Sequence, residues 1–276
     1  LSYPSATSSL SEGRIAIVTK RGVSGGGRGL RRASLSRTTG AVSRTVSCHP
    51  LTTLDDHSRF ALCLAACDNE RGSTVRGHLE TTFRRYGLPD AIFVDNGGPW
   101  GFTLEDPWTT LTVWLLKLGV RTIHSRPYHP QSRGKNERFH RSLKAEVFAF
   151  KRYRDLADVQ RAFDQWRAVY NLDRPHEALG FDVPASRYRP SQRPMPDRLP
   201  TVAYEEGEIV RSVSTTKAYV SFKGRLWKVP QAFRGERLAI RQLSADGKFG
   251  IFFAAHQIET IDLRNPKSVN HVPEQV

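Results

Sequence analysis

Between Leu51 and Asn171 short apolar runs alternate with stripes of helical spacing, and few folds accept that alternation. Leu51–Leu54 and Phe60–Leu64 read as two strands around the polar turn Asp55-Asp56. Val75, Leu79, Phe83 and Tyr86 form one apolar stripe on a helix over 72–86, stopped by Gly87 and Pro89. Ala91–Val94 is a short buried strand running into the turn Asp95-Asn96-Gly97-Gly98. A helix from Pro107 to Lys117 follows, then a strand over 120–124 and helices over 134–150 and 155–171. The expectation is an α/β domain over 48–180.

The flanks have a different texture. Pro184, Pro190, Pro194, Pro196 and Pro200 mark 181–202 as a semi-rigid linker. Beyond it lie six short strand patterns within 208–261, with Lys223-Gly224 and Asp246-Gly247 as hairpin turns. Residues 203–263 therefore read as a small all-β barrel, with 264–276 as a tail. Residues 1–47 are rich in Ser, Gly and Arg, with Glu12 the single acid. Such a stretch buries too little to offset its chain entropy, so it reads as a disordered basic segment.

Charge narrows the partners. Forty-two Lys+Arg against 27 Asp+Glu give a net charge of +15, which points to a polyanion, nucleic acid first. The apolar run Phe60–Cys67 is too short to cross a bilayer. Three cysteines cannot form a disulfide framework, and Cys48, Cys63 and Cys67 lack the spacing of a zinc site, so a reducing cytoplasm is expected. Gly25–Gly29 is not a phosphate loop, because no Gly-Lys-Ser/Thr follows.

Two carboxylates stand out. Asp95 closes a strand at a glycine turn, where α/β sheets collect functional groups, although an Asx turn explains it equally well. Glu137 lies in the first turn of its helix with Arg141 and Lys144, opposite the stripe Phe139, Leu143, Val147 and Phe150. A solvated helix face explains that pattern too.

Five segments taken in order decide between these readings. Leu51-Thr-Thr-Leu-Asp-Asp-His-Ser-Arg-Phe60, Phe83-Arg-Arg-Tyr-Gly-Leu-Pro89 and Val94-Asp-Asn-Gly97 are followed by Ser125-Arg-Pro-Tyr-His-Pro-Gln-Ser-Arg-Gly-Lys-Asn-Glu137 and Asn171-Leu-Asp-Arg-Pro-His-Glu-Ala-Leu-Gly180. Together they resemble the catalytic core of DDE insertion-sequence transposases and retroviral integrases, in the insertion-sequence 481-like branch. The resemblance implies a ribonuclease-H-like core, a mixed sheet with flanking helices, followed by the β-barrel. It implies DNA cleavage and strand transfer at paired carboxylates holding Mg²⁺ or Mn²⁺. Asp95 and Glu137 fill two of the three catalytic and metal-binding positions. DNA ends and target DNA become the partners, a homo-oligomer on DNA the working form, and the bacterial nucleoid the location.

His129, Gln131, Lys135, Arg138 and Arg141 crowd the approach to Glu137 and suit phosphate positioning. In the β region Lys223, Arg225 and Lys228, interleaved with Tyr219, Phe222 and Trp227, suit DNA backbone binding, unless those aromatics face inward. Trp114 is expected in the core and Trp100 at the surface near the site. The family's first Asp is missing, since residues 1–54 hold no Asp and no Trp. That points to a truncated or frameshifted N-terminus and impaired chemistry. Asp55 and Asp56 read as turn residues, with Asp56 bonding Ser58. A non-catalytic DNA-binding remnant is the alternative, and a ribonuclease-H-type nuclease shares the fold.

Overall fold

The computed structural model describes residues 46–94, 98–101, 108–124, 134–149 and 151–264, together with the backbone of 15–20 and 271–272. The described residues form two compact units. One takes the chain up to Pro99 and Gly119–Met195; the other takes Trp100–Leu118 and the chain from Pro196.

The first unit is built on a five-stranded mixed sheet of order β3-β2-β1-β4-β5. Its strands are β1 (Ile15–Lys20), β2 (His49–Asp55), β3 (Ala61–Cys67), β4 (Ala91–Val94) and β5 (Arg121–His124). β1–β2 and β2–β3 are antiparallel; β1–β4 and β4–β5 are parallel. The central position of β1 differs from the composition-based expectation of disorder. Ile-Ala-Ile-Val-Thr-Lys is a local run rich in β-branched residues, which suits a strand flanked on both edges, and averaging over 47 residues hides it.

Helix α1 (Gly72–Tyr86) connects β3 to β4 and buries Val75, Leu79 and Phe83, the stripe read from sequence. Gly87 ends it at φ 80°, its N–H donating to the Phe83 carbonyl. A Cβ at Gly87 would lie 2.7 Å from the Ser191 carbonyl oxygen, so only glycine fits. That contact belongs to a strap. Ser191 N–H donates to the Tyr86 carbonyl, and Arg193 reaches Pro89, Asp90 and Gly119. Residues 188–193 are thus fastened to the unit, where proline content alone suggested a spacer.

Helix α4 (Leu156–Leu172) starts at Asp155, whose carboxylate accepts from Asp158 N–H, and it lies along the edge strand β3. Asn171 accepts from Ala61 N–H (2.8 Å) and donates to Ala61 O (3.1 Å). Arg167 donates to Leu62 O, and Gln160 serves Leu64 O and Ala66 N–H. These side chains satisfy backbone groups that an exposed edge would offer to another chain. Phe139 and Leu143 of α3 (Gly134–Leu143), and Val147 of the π-helical turn after it, pack with Leu54, Leu64, Phe163, Trp166 and Tyr170. Each fully buried ring or branched chain there is worth about 1.5–3 kcal/mol over exposure.

The second unit is all-β apart from α2 (Thr110–Lys117) and a 3-10 turn. A reciprocal Thr109–Thr112 capping box starts α2 two residues after Pro107. Sequence places this helix in the α/β domain. Its contacts place it here: Val113 joins the β-unit core, Trp108 meets Phe233 edge-on at 5.2 Å, and Lys117 pairs with Glu236 at 2.9 Å. One sheet has the order β11-β10-β9-β6, from β6 (Ile209–Ser212), β9 (Arg237–Gln242), β10 (Lys248–Phe253) and β11 (His256–Asp262). The other has the order β12-β8-β7, from β7 (Tyr219–Phe222), β8 (Arg225–Lys228) and β12 (His271–Val272). Among the described residues the pairing is two sheets rather than one closed ladder.

Candidate nucleic-acid interface and carboxylate site

α3 carries Glu137 in its first turn, where the helix N-terminus favours a negative charge. Phe139 and Leu143 bury one face, leaving Glu137, Arg138 and Arg141 exposed as the spacing requires. The helix rests along β2. His140 Nε2 lies 3.2 Å from Thr52 Oγ1, and Lys135 Nζ donates to Asp56 Oδ1 at 2.6 Å. Lys135, expected to face phosphate, is therefore engaged by a carboxylate. Asn136 is buried, and its Oδ1 has no hydrogen-bond partner among the described residues.

The Asp55-Asp56 turn has a different division of labour from the sequence expectation. Asp55 Oδ2, not Asp56, accepts from Ser58 N–H (2.8 Å) and Oγ–H (2.6 Å), because Asp55 is three residues before Ser58 at the mouth of the turn. Asp56 answers Lys135 and Arg59. Both aspartates are spent on structure.

Asp95, His129 and Gln131 lie outside the described residues. Val94, the residue before Asp95, pairs with Val18 of β1 and with His124 of β5. Thr19, the next residue of β1, pairs with Thr52, the residue that meets His140 of α3. The central strand therefore lies between the strand that ends at Val94 and the strand that meets α3, and Ile15–Lys20 holds no carboxylate. His124, not singled out from sequence, ends β5 level with Val94, and burial lowers its pKa. Among the described residues no group of His, Cys, Asp or Glu could hold a metal ion. A shallow cleft of about 350 Å³ between Asp55, Tyr86, Tyr188 and Ser191 contains none of the predicted site residues.

In the β unit Lys223 and Gly224 take positive φ (50° and 69°) at the β7–β8 turn. Lys223 Nζ stands 5.0 Å from the Phe249 ring centroid. Lys228 is exposed and Arg225 half-buried. Phe222 and Trp227 face the core, with Trp227 Nε1 bonded to Phe222 O, so they offer no stacking surface. Trp114 is buried as expected. Trp100, expected at the surface, is 1% exposed: its indole is too large an apolar body to leave in water.

Residues 21–130 match the integrase core domain, residues 118–184 match a second integrase core domain description, and 208–269 match the IS481 family transposase C-terminal domain. The chain thus carries matches to an integrase core domain followed by a match to the C-terminal domain of IS481 family transposases. Its integrase-core match begins at residue 21, upstream of Cys48, where the recognisable motifs start. An uncharacterized protein of insertion element IS476 from Xanthomonas euvesicatoria is 28% identical over 155 residues, 55% of this chain and 42% of that protein. One of insertion element IS407 from Burkholderia multivorans is 27% identical over 142 residues, 51% of this chain and 48% of that protein. The matched stretch thus spans less than half the length of each relative. Among solved structures, the BIV integrase catalytic core is 19% identical with a TM-score of 0.42, covering 62% of this chain and 92% of that one. The HTLV-2 integrase core in complex with magnesium is 12% identical with a TM-score of 0.40, covering 62% and 93%. The simian T-cell lymphotropic virus intasome is 16% identical with a TM-score of 0.44, covering 89% and 78%. No described helix is long and apolar enough to cross a membrane.

Proposed function

We propose that this chain is a DNA-binding transposase-type protein whose D-D-E chemistry is impaired. The observation that carries this reading is the acid-free central strand: β1 lies between β2 and β4, and its sequence supplies no oxygen ligand of carboxylate type. Metal-assisted phosphoryl transfer needs hard anionic oxygens on two sides of the scissile phosphate. Asp95 and Glu137 supply two carboxylates, and the neighbouring Asp55 and Asp56 are held by Ser58 and Lys135. Among the described residues no group of His, Cys, Asp or Glu makes a donor set for Mg²⁺, so no metal-dependent step is derived for this chain.

The net charge of +15, the exposed Arg138, Arg141 and Lys228, and the family support DNA as partner. The sheet order supports a ribonuclease-H-like core, and the shared apolar filling of the two smaller sheets supports a compact barrel. Assembly of several copies on DNA and a nucleoid location follow from the same reading. Incubating the full chain with a labelled terminal-repeat duplex and Mg²⁺ tests it. Salt-sensitive binding without end cleavage or joining is the expected result. Efficient strand transfer would overturn the impairment, and absence of binding would overturn the DNA reading.

A further inference from the structure

The cleft of about 350 Å³ at the end of α1 is walled by three stretches of chain, all within the first unit. Asp55 and Leu62 come from β2 and β3, Phe83 and Tyr86 from α1, Pro89 from the turn after it, and Tyr188 from the strap. The rings hold one another in place. Tyr188 stacks on Phe60 at 4.4 Å and 16°, and Tyr86 meets Tyr188 edge-on at 5.8 Å and Phe60 at 6.0 Å. The strap is fixed as well: Ser191 N–H donates to Tyr86 O at 2.9 Å, and Leu88 N–H to Arg193 O at 2.7 Å. A cleft built this way stands formed before anything enters it, so filling it costs little ordering.

Its polar groups set the sign of what it can take. The Thr82 hydroxyl donates to His78 O and the Ser191 hydroxyl to Leu88 O, both at 2.7 Å, so both protons are already engaged. Asp55 accepts from Ser58 twice, both times through Oδ2, which leaves Oδ1 outside the bonding of the turn. Among the described residues no cation pairs with Asp55, whereas Asp56, Asp90, Asp158 and Asp182 each hold an arginine or a lysine. No Lys or Arg among the described residues lines the cleft. It therefore offers acceptors and aromatic surface without a cation. Such a site repels a phosphate and suits a flat cation, whose N–H groups reach the carboxylate while its plane lies along a ring. Arg85, which does not line the cleft, shows that the Tyr86 ring accepts such a group: its guanidinium stands 5.1 Å from the ring centroid.

We propose that this cleft is a docking site for an arginine side chain presented by a partner protein, with Asp55 as charge partner and Tyr86 and Tyr188 as walls. The proposal does not rest on the DNA reading, because the cleft selects the opposite charge. Lysine fits it less well, since an ammonium group has no planar face to lay on a ring.

The test is a titration of N-acetyl-arginine amide into the isotope-labelled full chain without DNA, with the Gly87 and Ser191 amides followed by NMR. A saturable millimolar shift at both amides is expected. The citrulline analogue has the same shape without the charge, and it should bind about fivefold more weakly, the factor set by a partly exposed ion pair. Asp55→Asn, which keeps an oxygen for Ser58, should remove the preference for arginine at an unchanged melting temperature. Should that variant fail to fold, the arginine-to-citrulline ratio of the wild type decides alone. Equal affinity for the two analogues overturns the charge partner, and absence of a saturable shift at the two amides overturns the site.

Discussion

Replacing Asn171 by alanine isolates one structural device with a calculable cost. Ala61 is fully buried at the start of the edge strand, and Asn171 satisfies both its N–H and its carbonyl. Each buried backbone group left unpaired costs about 1–3 kcal/mol, so two cost about 2–6 kcal/mol. Partial entry of water at an edge favours the lower half of that range, near 3 kcal/mol. For a unit of this size that lowers the melting temperature by about 6–12 °C. Urea unfolding read by tryptophan fluorescence measures it, with Gln160→Ala as the comparison. Gln160 serves the same strand from a more exposed place, where water replaces it, and about 1 kcal/mol or less is expected. Equal and small losses in both variants, below about 0.5 kcal/mol, would refute the claim that Asn171 clasps the edge.

Gly87→Ala is expected to destabilise by about 2 kcal/mol or more in the same assay, since φ 80° and the 2.7 Å approach to Ser191 O both oppose a Cβ. Burial pushes the Cys48 and Cys63 thiols up to about 12 and about 11, so both should resist alkylation at pH 8 until urea unfolds the chain. The Arg174 hydrogen bond holds the Glu146 pKa below its ordinary value, so its stabilisation is present at neutral pH and is lost as pH falls below about 4.5 through the folded value. Glu146→Gln should flatten that part of the acid-unfolding curve. Thr19→Asp, which places a carboxylate on β1 opposite Thr52, should give Mg²⁺-dependent cleavage of a terminal-repeat duplex where the wild type gives none; no gain would count against the missing-carboxylate account.

Much of the architecture is legible because it follows from periodicity. The stripe Val75, Leu79, Phe83 reappears as the buried face of α1, and Phe139, Leu143, Val147 as that of α3 and its π-helical extension. Turn chemistry is legible too, as Lys223-Gly224 shows. Tertiary choices are not. Nothing around Val113 says that α2 will join the cluster of Phe233, because an apolar face fits any apolar partner. The Asp55–Ser58 bond and the Lys135–Asp56 pair depend on which of two adjacent aspartates points inward. The clasp of Asn171 on Ala61 joins residues far apart in sequence, and a buried asparagine in a motif reads equally well as a catalytic or a structural group.

The central strand separates what folding requires from what chemistry requires. A position between β2 and β4 asks for backbone partners on both edges and for β-prone residues, and Ile-Ala-Ile-Val-Thr-Lys meets both demands. Those demands are generic, so many hexapeptides would complete the sheet. A metal-assisted site instead demands a particular atom within a fraction of an ångström, and no generic property substitutes for it. A sheet can therefore keep its order β3-β2-β1-β4-β5 while losing a ligand from its middle. DNA binding belongs to the tolerant side of that division, since it sums many exposed cations and survives the loss of any one. Strand transfer belongs to the intolerant side. On the function proposed above, the terminal-repeat assay is therefore expected to separate the two activities, showing binding without joining.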